Sequence, residues 1–167
     1  MNSLSDIDPQ LHTALKAIYD EVMWLSKRPN VSASRARGWY THIMAESMKR
    51  KLRRFTGKVS EAAARQRDGS LMLEHFKRIQ TTLTALVEKH RTERLRAPDE
   101  FIKTLVEYER VHIVTREENY AAMRAKGNYR NAGIVLLPWK KLPEKRRAEL
   151  WQKMLRGKVA NADAFKV

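Results

Sequence analysis

Five histidines, His12, His42, His75, His90 and His112, are the side chains best suited to acid–base or metal chemistry, and their spacing supports neither. None stands four residues from another, no H-E-x-x-H occurs, and none sits in a His/Asp/Glu cluster with metal-ligand spacing. His75, beside Glu74, and His90 read as ordinary helix residues. Cysteine is absent, which removes thiolate nucleophiles, iron–sulfur clusters, disulfide frameworks and Cys-bearing zinc motifs. The glycines Gly38, Gly57, Gly69, Gly127, Gly133 and Gly157 are too far apart for G-x-G-x-x-G or for a phosphate-cradling G-x-x-x-x-G-K-[ST]. The expectation is a non-enzymatic protein with no metal and no cofactor.

The chemistry that the residue types do favour is contact with anions. Lys and Arg number 34 against 19 Asp and Glu, a net charge of +15, so a polyanionic partner is expected. Residues 1–26 carry −3, residues 27–67 carry +10 and residues 68–167 carry +8. The segment 27–67 is therefore the expected interface. Its candidates are Arg35, Arg37, Lys49, Arg50, Arg53, Arg54 and Lys58. On one long helix Arg35, Lys49 and Arg53 share a side, with Tyr40, Met44, Met48, Leu52 and Phe55 opposite. A helix over 35–55 is about 31 Å long, enough to follow most of a turn of duplex. Lys140, Lys141 and Arg146 form a second cationic cluster beside Trp139, whose indole is available either to stack on a base or to pack in the core.

Two stretches resemble known motifs by spacing. Leu25–Trp39 resembles a helix-turn-helix, with Ser26 small at the crossing, Asn30 able to take a left-handed turn and Ser34, Arg35 and Arg37 facing the groove. Pro29 and Gly38 depart from that pattern. Val111–Asn119 resembles the His strand and later Asn of the HNH nucleases, which implies His112, Glu117 and Asn119 as site residues. That family carries a further metal-binding His or Asn on the following helix, and no histidine follows His112. The sequence reading is thus a nucleic-acid-binding protein, DNA ahead of RNA. The alternatives are an adaptor docking an acidic partner protein, an acidic membrane surface, and a nuclease-like enzyme around His112.

These residues are positioned by a chain that reads as mainly helical, close to all-α. Asp8-Pro9 starts a helix with apolar residues at Leu11, Leu15, Ile18, Val22 and Leu25. Ser32 caps a second helix reaching Phe55, which Thr56-Gly57 end, and Ser60–Arg67 forms a short third before Asp68-Gly69-Ser70. Met72, Phe76, Ile79, Leu83 and Leu86 alternate by four and three along one helix, whose seam packs against the first. Pro98 opens another helix, and Pro143-Glu144 the last. Thr115 and Glu118 have capping-box spacing for a helix over 116–126. The only strand candidates are about 111–115 and 134–137, a small parallel pair beside about six helices.

At 167 residues a single domain over 1–167 is expected, with a possible division into 1–67 and 68–167. No long apolar run and no basic, then apolar leader is seen at the start, so a cytoplasmic protein without membrane insertion is expected. Oligomeric state is not legible.

Overall fold

The computed structural model describes residues 7–43, 46–66 and 69–167. Residues 1–6, and Met44, Arg67 and Asp68 of the expectations above, lie outside them. The chain groups into two compact units, Met1–Lys51 with Ile79–Tyr108, and Leu52–Arg78 with Glu109–Val167.

The first unit is helical. Helix α1 (Pro9–Ser26) begins where expected, because Asp8 Oδ1 accepts from Gln10 N at 2.9 Å and Leu11 N at 3.1 Å while Pro9 has no amide to satisfy. Asn30 takes a φ of 64° in the turn that follows. Ser32 then caps α2 (Ala33–Gly38), accepting from Arg35 N, and a π-helical turn continues over Trp39–Ile43. Two later helices, α5 (Ile79–Thr92) and α6 (Pro98–Tyr108), complete this unit. Leu15, Val22, Ala36, Tyr40, Leu83, Phe101, Ile102 and Leu105 are buried in it. Its polar centre is Tyr19 and His90, which meet at 2.7 Å between Oη and Nδ1. His90 Nε2 lies 2.7 Å from Glu100 Oε2, and Ala97 N–H donates to Tyr19 Oη at 3.2 Å.

The expected long helix to Phe55 is corrected. After the π-helical turn, α3 runs over Glu46–Leu52, and the chain then extends as strand β1 (Arg54–Ser60). A short α4 (Glu61–Arg65) follows, capped by Ser60, and strand β2 (Leu71–His75) replaces the first turns of the expected Met72–Leu86 helix. Strand β3 (Arg110–Thr115) and helix α7 (Arg116–Arg124) fall where the sequence put them, with both arms of the Thr115/Glu118 capping box formed. Strand β4 is Leu136–Pro138, and α8 (Glu144–Leu150) runs into a π-helical turn over Trp151–Leu155.

The fold class is therefore α/β, with eight α-helices among the described residues and a four-stranded mixed sheet in the order β2-β3-β1-β4. This overturns both the mainly α, all-α reading and the parallel pair of 111–115 with 134–137. β3 instead pairs parallel with β1 and antiparallel with β2, and β4 pairs antiparallel with β1. The reason is long-range pairing, which outweighs local helical spacing. In β2 it is the facing that has period two: Leu71 and Leu73 pack on the same core as Val111 and Ile113. That core also takes Phe55 and Val59 of β1 and Trp139, Leu142, Leu150, Met154 and Leu155 from the C-terminal segments.

β1 is bulged between Phe55 and Val59. Gly57 lies in the bulge with φ 76°, and a Cβ there would stand 3.2 Å from the Phe165 ring, so both backbone and space ask for glycine. Where β4 does not reach, Asn161 completes the edge of β1. Its Oδ1 accepts from Phe55 N at 2.8 Å and its Nδ2 donates to Phe55 O at 2.9 Å.

Candidate functional site: a cationic pocket around His112

Strand alternation divides the central strand between two faces. Val111 and Ile113 enter the core, and His112 faces the other side of the sheet. There a pocket of about 380 Å³ is lined by Thr56 and Lys58 from β1, Arg110 and His112 from β3, Phe76 just after β2, and Tyr129 beyond α7. Thr56 and Lys58 lie within the bulged stretch of β1, on the face opposite the core residues Phe55 and Val59.

His112 is 4% exposed. Its Nδ1 lies 2.5 Å from Thr56 Oγ1, which is also 3.1 Å from the Val111 carbonyl oxygen. A hydroxyl has one proton, and the carbonyl only accepts. Both interactions are satisfied together when Nδ1–H donates to Oγ1 and Oγ1–H donates to Val111 O. That arrangement leaves a lone pair on Nε2, which has no hydrogen-bond partner among the described residues. Burial, with the charges of Lys58 and Arg110 behind it, pushes the imidazole down to about 4. His112 is consequently neutral near pH 7.

The rings of Phe76 and Tyr129 flank it at centroid distances of 6.0 and 5.5 Å, both edge-to-face. Tyr129 Oη donates to Glu74 Oε2 at 2.8 Å. Burial first, then the Glu74 charge, pushes the Tyr129 phenol up, and burial pushes the Glu74 carboxyl up. Glu118 closes the frame: it accepts from Thr115 N at 2.9 Å and from the Ser60 hydroxyl, joining the start of α7 to the end of β1. Lys58 and Arg110 are in no ion pair among the described residues, and Arg110 lies over the Phe76 ring at 5.5 Å.

The residues expected from the sequence scatter. Arg35 and Arg50 are exposed in the first unit. Arg37 is buried, its guanidinium donating to Ser34, Thr41 and Thr84, and Lys49 donates to Thr41 O at 2.7 Å. The helix-turn-helix reading is corrected by this: the supposed reading helix passes into a π-helical turn at Trp39, and Arg37 faces inward. Arg53 pairs with the buried Glu109 at 3.4 Å, a carboxylate that His75 also meets at 2.9 Å. Arg54 is half-buried at the start of β1, and only Lys58 of this series lines the pocket.

In the C-terminal cluster Lys140 and Lys141 are exposed. Arg146 instead serves the fold, donating to the carbonyls of Ala63, Ala64 and Gln66 at the end of α4. Trp139 is buried between Phe55 and Phe165. Beside it a second depression, of about 340 Å³, is bordered by Lys140, Arg147 and Lys166, and Arg147 Nε there is buried without a hydrogen-bond partner.

Glu117 and Asn119 do not line the His112 pocket, and no group of three or more His, Asp or Glu is placed to hold a metal ion among the described residues. Sequence reasoning missed Arg110, Thr56, Phe76 and Tyr129 as neighbours of His112. Arg110 was within reach, because it stands two residues before His112, immediately ahead of the strand expected over about 111–115. No helix among the described residues is long and apolar enough to cross a membrane. Comparison with protein-family models, with characterised proteins and with solved structures finds no match for this chain.

Proposed function

We propose that this protein binds nucleic acid through phosphate contacts made by its sheet-containing unit. The observation that carries the proposal is where the charge lies. Leu52–Arg78 with Glu109–Val167 holds 21 Lys and Arg against 9 Asp and Glu, a net +12, whereas the helical unit holds 13 against 10, a net +3. A charge of that size on one compact unit repels itself, and a polyanion relieves the repulsion while releasing its own counterions. Lys58, Arg110, Lys140, Lys141 and Arg147 take part in no ion pair among the described residues and supply phosphate contacts. The precedence of DNA over RNA rested on the helix-turn-helix reading together with the absence of RNA-binding motifs, and with the first corrected the proposal names the phosphate backbone and not one polymer.

Fluorescence anisotropy with labelled duplex DNA, single-stranded DNA and RNA, at roughly 50 and 200 mM salt, tests it. Submicromolar binding that weakens steeply with salt is expected. Replacing Lys140, Lys141 and Lys166 with Ala should flatten the duplex salt slope by about 0.9 for each phosphate no longer neutralised, with Arg35→Ala and Arg50→Ala changing it less. No binding at low salt overturns the proposal. Displacement of a bound acidic polypeptide that duplex DNA cannot reproduce would assign the charge to a protein partner.

A further inference from the structure

We infer that the His112 pocket is a nucleotide site, taking a phosphate between Lys58 and Arg110, a ribose hydroxyl or base N–H on the His112 Nε2 lone pair, and the base against Phe76 and Tyr129. The two halves of the pocket ask for two kinds of chemistry on one ligand. Lys58 and Arg110 present positive charge with no carboxylate opposite either, and His112 offers an unpartnered ring nitrogen from a side chain that is almost wholly buried. A ring nitrogen with a free lone pair on a side chain that lines an open pocket is placed to accept a hydrogen bond from a ligand. Two cations suit a multiply charged, multi-oxygen anion, and the Nε2 lone pair accepts from a hydroxyl or N–H of the same ligand rather than from its phosphate.

The remaining wall is apolar and aromatic: Phe76, Tyr129 and Leu136. Aromatic side chains bind bases by stacking without regard to sequence. The volume of about 380 Å³ lies at the small end of the range for ligand pockets, the scale of one nucleotide. Glu74 accepts from the Tyr129 hydroxyl and does not line the pocket. Thr56, fixing Nδ1 of His112, acts as a positioning residue.

Lys58 and Arg110 also count among the phosphate contacts proposed above, but the nucleotide site stands or falls on its own, because a free nucleotide needs no strand to occupy it. Calorimetric titration of the full chain with AMP, CMP, GMP and UMP tests it, alongside adenosine, inorganic phosphate and a short single-stranded oligonucleotide. One nucleotide per chain is expected to bind, with adenosine and phosphate each at least about tenfold weaker, the effect of removing one charge-assisted hydrogen bond. Lys58→Ala, at an exposed position, should weaken binding about tenfold or more, Arg110→Gln likewise, and Lys145→Ala, outside the pocket, should leave it unchanged. Phe76→Leu should weaken nucleotides and spare phosphate. In a 15N spectrum the His112 ring nitrogens should shift on nucleotide addition.

Oligonucleotide binding that depends on Lys58 and Arg110, without free-nucleotide binding, supports the site and makes the strand its source. Nucleotide binding equally reduced by Lys145→Ala overturns it as a general charge effect. Oligonucleotide binding indifferent to Lys58 and Arg110, with no nucleotide bound, overturns the pocket and leaves the backbone-binding proposal standing.

Discussion

Acidification from pH 7 to 5 should destabilise the folded protein by about 2 kcal/mol through His112 alone. The imidazole titrates at an ordinary 6.5 in the unfolded chain and at about 4 when folded. Below 6.5 the unfolded state therefore binds the proton first, so stability is complete above that value and is lost as pH falls toward 4. At about 1.36 kcal/mol per pKa unit, linkage gives a loss of about 2 kcal/mol by pH 5 and about 3 by pH 4.

Other groups around the ring titrate too. Glu74 on β2, raised by burial, takes up its proton earlier when folded and so opposes the loss, while Tyr129, its phenol pushed up by burial and the Glu74 charge, stays protonated over this range. Urea unfolding of the wild type and of His112→Asn, at steps between pH 7.5 and 4.5, isolates the His112 contribution because Glu74 is present in both. The wild-type curve should fall more steeply by the stated amounts. An NMR titration of the imidazole supplies a second check that does not depend on how well the variant folds. Parallel pH curves, or a His112 ring that protonates near 6.5 in the folded protein, would refute the argument from burial and neighbouring charge.

Asn161→Ala removes both hydrogen bonds to Phe55, a residue that is 3% exposed. It should cost about 2 kcal/mol or more and lower the melting temperature by about 4–8 °C, read by calorimetry. Tyr19→Phe leaves His90 Nδ1 and Ala97 N–H without their partner in the helical unit. A loss of about 1–3 kcal/mol in urea unfolding is expected, and an unchanged midpoint would mean that water replaces the hydroxyl.

What the sequence disclosed is what depends on a few adjacent residues. Asp8-Pro9, Asn30, Ser32, Pro98 and the Thr115/Glu118 pair each act through their own backbone, and each performs as its chemistry requires. β1 and β2 were hidden because their partner, β3, lies far along the chain. Leu71, Met72 and Leu73 are all apolar, so no alternation announces a strand, and Met72 and Phe76 happen to continue the helical spacing of Ile79, Leu83 and Leu86. The pocket was hidden for the same reason: His112 was visible as a strand histidine, but Thr56, Phe76 and Tyr129 reach it from three separate stretches. Net charge was visible, and its division between the two units was not.

The path of the chain gives the sheet a schedule. β1 and β2 are made first, yet each pairs with β3, and β1 also waits for β4 at Leu136–Pro138. The helices of the first unit are all synthesised once Tyr108 has left the ribosome. During synthesis the helical unit can finish while two strands still lack neighbours, their edges open to other chains. A ribosome paused after Tyr108 has emerged but before Arg116 has would hold that state, and a pause once Thr115 has emerged would let β3 join β1 and β2 before the remaining C-terminal residues arrive.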